Sequence, residues 1–300
     1  AYARVTGEVG VCIATSGPGA TNIVTALADA FLDSIPMVAI TGQVIQPLIG
    51  RDGFQEVDIT GITLPVTKHN YLVRRIEDIA PTIKEAFYLA RSGRPGPVLV
   101  DIPKDVFNAK APFVWPESTG RRSYQPSFVP NIRQVRLAAE EISRARKPLI
   151  MAGHGIILAQ AEDEFQVFAE KTGIPVIYTL LGLGAMDEAH PLSLGMMGMH
   201  GHKHVNRALE ECDLLVNIGA RFDDRATGRL DGFAPNARII HVDVDPAEIG
   251  KNVTTHVPVV GDAREALKLL IDAVEERKYP EWRRWIEGQR DRVLAAALED

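Results

Sequence analysis

The sequence predicts an α/β protein made of two doubly wound parallel-sheet domains. Three observations carry this. Short apolar runs recur along the chain, amphipathic helical stretches lie between them, and one proline-rich stretch interrupts the rhythm. The runs fall at 9–15, 36–41, 97–101, 148–152, 175–179, 214–218, 238–242 and 257–260. Each is continuous rather than alternating, as expected of a strand covered on both faces. The stretch at 76–91 places Ile79, Ile83, Ala86, Phe87 and Ala90 on one helical face, and 133–145 has the same period. Strands alternating with helices argue for parallel pairing through crossovers.

The interruption at 108–130 holds Pro112, Pro116, Pro126 and Pro130 among Phe113, Trp115, Tyr124 and Phe128. It reads as an extended linker packed on the surface by its aromatics. The expected domains are therefore 1–107 and 131–277, followed by a helical tail at 278–300 whose partner surface is expected beyond the last residue. A length of 300 residues suits about two domains. The opening AYARVTG reads as the last turn of a helix and its glycine stop, so the chain is expected to be part of a longer protein.

Composition narrows the function classes. Lys plus Arg is 33 and Asp plus Glu 39, a net charge of -6. That excess of acids argues against nucleic-acid binding, which needs cations to replace phosphate counterions. The chain is 46% hydrophobic and 24% charged, a mixture that supports sizeable cores. Cys12 and Cys212 cannot build a disulfide framework, and both read as buried free thiols in a reducing compartment. No apolar run reaches the roughly 18 residues of a membrane span.

The chemistry-bearing motifs sit where strands end. TSGPGATN at 15–22 offers glycines that let a backbone approach a ligand, or simply a tight turn capped by Thr21 or Asn22. GRPGP at 93–97 and DIPKD at 101–105 place Arg94 before a strand and Lys104 after it. Ligands of open α/β sheets collect at carboxyl ends, so Lys104 suits an anion; a solvated lysine is the alternative. AGHG at 152–155 is half of a dinucleotide fingerprint. IGARFDDR at 218–225, HVDVDP at 241–246 and VGDA at 260–263 end three further strands in glycines or acids. Together they suggest a nucleotide lying across a sheet crest. His200, His202 and His204 have no carboxylate to complete an obvious metal triad. Met196, Met197 and Met199 read as core, or as packing for a flat ring.

ATSGPGATN at 14–22, DSIPMVAITGQV at 33–44, GRDGFQEVDITGI at 50–62, SGRPGPVLVDIPKDV at 92–106, GMMGMHG at 195–201, GARFDDR at 219–225 and VGDA at 260–263 resemble the acetolactate synthase family of thiamine-diphosphate enzymes. The resemblance covers essentially the whole chain. It implies a partial pyrimidine-binding domain followed by a central FAD-binding domain. Phe54 and Gln55 would line the active site, with Gln55 near the reactive end of thiamine diphosphate. Lys104 would lie at the substrate channel, and Arg221 would serve both substrate and flavin. Arg94, Gly153, Gly155, Thr179, Leu180, Met199, His200, Gly219, Ala220, Asp223, Arg225, Asp243, Val244, Asp245, Asp262 and Ala263 occupy the matching flavin-binding segments. The flavin would be structural.

The resemblance further implies pyruvate and 2-oxobutanoate as substrates. It implies a homodimer or tetramer of large subunits, a regulatory small subunit and a cytoplasmic location, with neither nucleic acid nor membrane as partner. The family's catalytic Glu would lie upstream of Ala1. The Mg²⁺ motif would lie in a domain downstream of Asp300, so this stretch alone is expected to be inactive, with no metal ligand of its own. Glyoxylate carboligase, pyruvate oxidase and a non-catalytic FAD-holding module are the alternatives.

Overall fold

A computed structural model describes residues 1–119 and 124–299. Residues 120–123 of the proline-rich stretch, and Asp300 at the end of the tail, lie outside the described residues. The chain divides into two compact units, Ala1–Pro126 and Ser127–Asp300.

The first unit runs α1 (Tyr2–Thr6), β1 (Gly10–Ala14), α2 (Pro18–Asn22), α3 (Val24–Leu32), β2 (Met37–Gln43), α4 (Ile59–Thr63), β3 (His69–Leu72), α5 (Ile79–Arg91), β4 (Pro97–Pro103) and α6 (Lys104–Asn108). Its sheet is parallel in the order β1-β2-β4-β3. Residues of β4 alternate between two cores. Val98, Val100 and Ile102 meet Ala86, Leu89 and Ala90 of α5, while Leu99 meets Ala20, Leu27 and Ile59 of α2, α3 and α4. Both faces are thus covered, which explains the unbroken apolar run.

β1 departs from that rule. Val11 and Ile13 are exposed, Ile13 by 76%. As an edge strand, β1 is uncovered on the face those two residues share, and Cys12 between them is only half-buried. Cys212 is fully buried. Tyr124 ties the proline-rich stretch back to the unit by donating to the Ser92 carbonyl at 2.9 Å. Lys84 lies 5.8 Å over the Trp115 ring and donates to the Glu117 carbonyl.

The second unit runs α7 (Ile132–Arg144), β5 (Pro148–Ala152), α8 (His154–Leu158), α9 (Glu162–Thr172), β6 (Val176–Tyr178), β7 (Ser193–Met196), α10 (Lys203–Glu211), β8 (Leu214–Ile218), α11 (Asp224–Thr227), β9 (Arg238–Asp243), β10 (Val257–Val260), α12 (Ala263–Ala273) and α13 (Pro280–Glu299). The sheet is parallel, in the order β10-β9-β8-β5-β6-β7. Helices α7, α9 and α12 pack together, as do α10 and α13. β5 and β8 are buried at every position.

β3 and β7 have no counterpart among the expected strands. HNYL and SLGM contain no apolar run, and each is an edge strand of partly buried residues. Met197 belongs to the core, whereas Met199 is 60% exposed. Among the described residues no helix is long and apolar enough to cross a membrane.

The tail packs against the second unit through its aromatic residues. Trp282 is buried, stacks on Trp285 with ring centroids 5.1 Å apart, and donates from Nε1 to the Pro148 carbonyl at 2.9 Å. Lys147 lies 5.7 Å over the Trp282 ring. Trp282→Ala should destabilise the second unit by about 3–5 kcal/mol, the range for deleting a buried aromatic. Trp282→Phe should cost about 1–3 kcal/mol, because it leaves the Pro148 carbonyl unpartnered. Urea unfolding of both variants checks this, and an unchanged midpoint in the Phe variant would discount the indole hydrogen bond.

Candidate functional site

In the first unit, parallel pairing brings the segments after β1, β2 and β4 to one edge. The segment after β1 is the glycine loop. Gly17 has φ of 59°, and a Cβ there would stand 2.7 Å from the Gln55 carbonyl oxygen. Gly17 is therefore a packing glycine that seats the loop at 50–57. Neither Thr21 nor Asn22 caps α2; Gly17 is its N-cap residue, without a side-chain bond.

The loop at 50–57 is tied to itself by one carboxylate. Glu56 accepts from the backbone N–H groups of Gly50, of Gly53 at 3.0 Å and of Arg51 at 3.3 Å. These bonds, Gly50's first, hold the Glu56 carboxyl below the usual carboxylate range. The fold presents Phe54 at 89% exposure and holds Gln55, also exposed, at φ of 59°. A non-glycine residue in that region is strained and stays there only where its surroundings fix it.

Lys104 is the exposed first residue of α6, directly after β4. Asp105 beside it accepts from both the backbone N–H and the side-chain amide of Gln46, each at 3.2 Å. Arg94 precedes β4, so Arg94 and Lys104 stand at opposite ends of one strand. Its Nε donates to Ser34 Oγ at 2.9 Å, and its guanidinium lies 6.0 Å over Phe31.

Between these segments lies a buried acid. Asp101 accepts from Thr41 Oγ1 at 2.7 Å and from Gln43 Nε2 at 3.0 Å. The strand register sets Thr41 directly opposite it. Burial pushes the Asp101 carboxyl up to about 6; the bonds from Thr41 and Gln43 pull the other way, and nearby Asp58 adds to the rise.

In the second unit the crest is built of backbone. A Cβ on Gly155 would stand 2.6 Å from Cα of Gly219, and one on Gly153 would stand 2.3 Å from the Gly219 carbonyl oxygen. Gly155 N–H donates to Gly219 O at 2.9 Å, and Gly219 has φ of 65°. The two loops interlock, which requires glycine at all three positions. Thr179 N–H donates to Ala152 O at 3.1 Å, and Leu180 beyond it is exposed. Met199 N–H donates to Arg225 O at 3.1 Å, with Arg225 Nη1 3.7 Å from the Met199 sulfur. His200 next to it is exposed.

The acids of the crest have backbone duties. Asp223 caps α11, accepting from Arg225 and Ala226, and Asp262 caps α12, accepting from Arg264 and Glu265, just ahead of buried Ala263. Asp243 accepts from the Asp245 N–H at 2.8 Å across half-buried Val244, and Asp245 accepts from the Ala247 N–H. Asp224 pairs with Arg225 at 3.8 Å. Half-buried Arg221, following buried Ala220, has no hydrogen bond or ion pair among the described residues, so the surface pair with Asp223 or Asp224 is not formed.

The Arg221 guanidinium is an unused donor set among the described residues, and Leu180 and Met199 on the loops after β6 and β7 are exposed apolar side chains; together these fit a flat, anionic cofactor. Of the histidine cluster, His204 is buried with Nε2 3.1 Å from the Leu194 carbonyl oxygen, and its ring stacks on His202. Among the described residues no three His, Cys, Asp or Glu side chains stand together as a metal site.

Sequence reasoning passed over Asp101 and the pair Thr41 and Gln43. The available signal was two polar side chains, two residues apart, closing an otherwise apolar strand. It also passed over buried Asn217 and His241, register neighbours on β8 and β9. Among the described residues Asn217 Oδ1 and both ring nitrogens of His241 have no hydrogen-bond partner, though His241 Nε2 lies 3.7 Å from the Asp243 carboxylate.

Two family models match the chain. One is described as thiamine pyrophosphate enzyme, N-terminal TPP binding domain, at residues 1–62, and the other as thiamine pyrophosphate enzyme, central domain, at 135–270. Among similar proteins, the acetolactate synthase large subunit of Corynebacterium glutamicum is 55% identical over 97% of this chain and 47% of its own length. That of Mycobacterium tuberculosis is 53% identical over 96% of this chain and 48% of its own. That of Cyanidium caldarium is 49% identical over 92% of this chain and 48% of its own. The chain spans about half the length of the curated relatives it matches.

Asp101 makes stability depend on pH. Its folded value of about 6 lies above the ordinary 3.8, so the folded chain holds this proton more tightly than the unfolded one. The stability that this preference contributes is complete below about pH 3.8 and is lost as pH rises through about 6, a change of up to about 3 kcal/mol. Asp101→Asn removes the titration. Unfolding midpoints at pH 4.5 and 7 should therefore differ less in that variant than in the unaltered chain. An unchanged difference would mean that other groups set the profile.

Proposed function

We propose, from the premise that the chain belongs to the thiamine pyrophosphate enzymes and is homologous to acetolactate synthase large subunits, that the protein carrying it is an acetolactate synthase. It decarboxylates pyruvate and ligates the two-carbon unit to a second 2-oxo acid, pyruvate or 2-oxobutanoate, for branched-chain amino acid synthesis. The observation that carries this reading is the 55% identity over 97% of the chain.

Thiamine diphosphate, when bound, supplies the electron sink for decarboxylation. Gln55, with Phe54 beside it on the loop seated on Gly17, would serve the reactive end of that cofactor, and Lys104 would receive the anionic substrate. FAD would be a structural group of the second unit. Gly153, Gly155, Gly219 and Ala220 would give it a close backbone, and Thr179, Leu180, Met199 and His200 would complete the segments that hold it. Arg221 and Arg225 would supply cations; Asp223, Asp243, Val244, Asp245, Asp262 and Ala263 would complete the segment ends. Mg²⁺ is assigned to no residue of this chain. The relatives' description as large subunits supports assembly with a smaller subunit; the arrangement that goes with this reading is a cytoplasmic homodimer or tetramer taking a regulatory small subunit. The domains are assigned as a pyrimidine-binding part at 1–107, a linker at 108–130, an FAD-binding part at 131–277 and a tail at 278–300.

Arg221 is the residue for the second 2-oxo acid. Its guanidinium has no internal partner, and a planar guanidinium grips a carboxylate with two hydrogen bonds that a lysine cannot reproduce. The full-length subunit, given pyruvate, thiamine diphosphate, Mg²⁺ and FAD, should form acetolactate; absence of product would overturn the assignment. In the same protein Arg221→Lys should slow ligation more than decarboxylation, by roughly 1.5–3 kcal/mol. Single-turnover kinetics separates the two steps. Equal losses would return Arg221 to a general role in flavin packing.

A further inference from the structure

The loop at 50–57 bears Phe54 and Gln55, yet most of its hydrogen bonds are its own. Glu56 gathers three backbone N–H groups from within the loop. Among the described residues, one hydrogen bond joins this loop to the sheet: Gln43 Nε2 donates to the Val57 carbonyl at 2.8 Å. The same nitrogen donates to Asp101 Oδ2 at 3.0 Å, and Gln43 Oε1 accepts from the Val44 N–H at 2.9 Å. The amide therefore has a fixed orientation, with both of its ends engaged. Asp101 is in turn fixed by Thr41 across the strand register. Asp101 and Gln43 are both buried, so water does not compete for these bonds. Val57 lies two residues after Gln55, whose left-handed backbone packs on Gly17.

We infer that Asp101 is a positioning residue: bridged by Gln43, its carboxyl group fixes the loop at 50–57 to the sheet and so sets where Gln55 stands. The inference rests on the reading that Gln55 works at the reaction site. The required feature is an acceptor facing Gln43. Asp101→Ala removes it and strands two buried donors. Asp101→Asn keeps it, because the amide oxygen serves Gln43 while the Thr41 hydroxyl turns to accept from the amide nitrogen. A role in packing alone would not distinguish Asn from Ala in this way.

The test uses the full-length subunit and two readouts. Hydrogen exchange reads the loop without reference to turnover. Asp101→Ala and Gln43→Ala should each lower protection at 50–57 by roughly tenfold, as expected for a loop that loses its one hydrogen bond to the sheet. Each should lower kcat by about tenfold while KM for pyruvate stays within about twofold, since placement and not binding is lost. Asp101→Asn should recover most of both losses. Thr41→Val, which leaves the Gln43 to Val57 bond in place, should keep the loop protected. Should Asp101→Ala fail to fold, Gln43→Ala decides alone. Unchanged protection in Gln43→Ala, or an Asn variant as damaged as the Ala one, would overturn the inference. A Gln55→Ala variant with full turnover would instead refute the role of Gln55 and leave the exchange result standing.

Discussion

A parallel strand returns to its neighbour only through a crossover that covers one face of the sheet. Every strand pair among the described residues of both units is parallel. That constraint sets the rest. It demands apolar side chains on both faces, as in β4, β5 and β8, where each position is buried. It also sends the segments after neighbouring strands to a common edge. Chemistry-bearing residues from 17, 43, 55 and 101 meet there although long stretches of sequence separate them.

The two edges solve different problems. In the second unit the loops after β5 and β8 touch backbone to backbone, so Gly153, Gly155 and Gly219 are fixed by their contact with one another. Their conformational cost is offset by hydrogen bonds such as Gly153 N–H to Ile218 O and Gly219 N–H to Val242 O. In the first unit the edge is polar and indirect. Its strands end in Thr41, Gln43 and Asp101, and side chains rather than backbone carry the order outward to the loop. A glycine-tight crest suits a group that stays in place. A loop held by one amide suits a residue that must be aimed.

Most of the architecture was legible in the sequence, for a physical reason. A strand covered on both faces is a continuous apolar run, and PLIMA, LLVNI and VPVV were placed to the residue. The edge strands HNYL and SLGM were missed because an edge strand need not be apolar, and GVCIA was misread because its apolar outer face is open in this chain. The glycine motifs were visible but not their role. Periodicity cannot say that Gly17 answers to Gln55, or Gly155 to Gly219, because those contacts depend on sheet order. Capping was likewise hidden. Asp223 and Asp262 read as strand-end acids in one dimension, and only the fold shows that each also caps a helix.

Asp101 shows why a buried acid is kept where a valine would pack. An unpaired carboxylate in that position would be costly, and burial does raise its proton affinity. Two donors on the neighbouring strand, one directly opposite, hold the cost to a level the sheet tolerates. What the acid provides is direction, since an apolar residue would fill the space but could not orient the Gln43 amide. The amide in turn spends one hydrogen on Asp101 and the other on Val57. Replacing Thr41, Gln43 and Asp101 together by apolar residues would leave a well-packed sheet without its hydrogen bond to the loop. The polar cluster is thus a constraint on the site, placed inside the sheet because only there is the backbone rigid enough to transmit it.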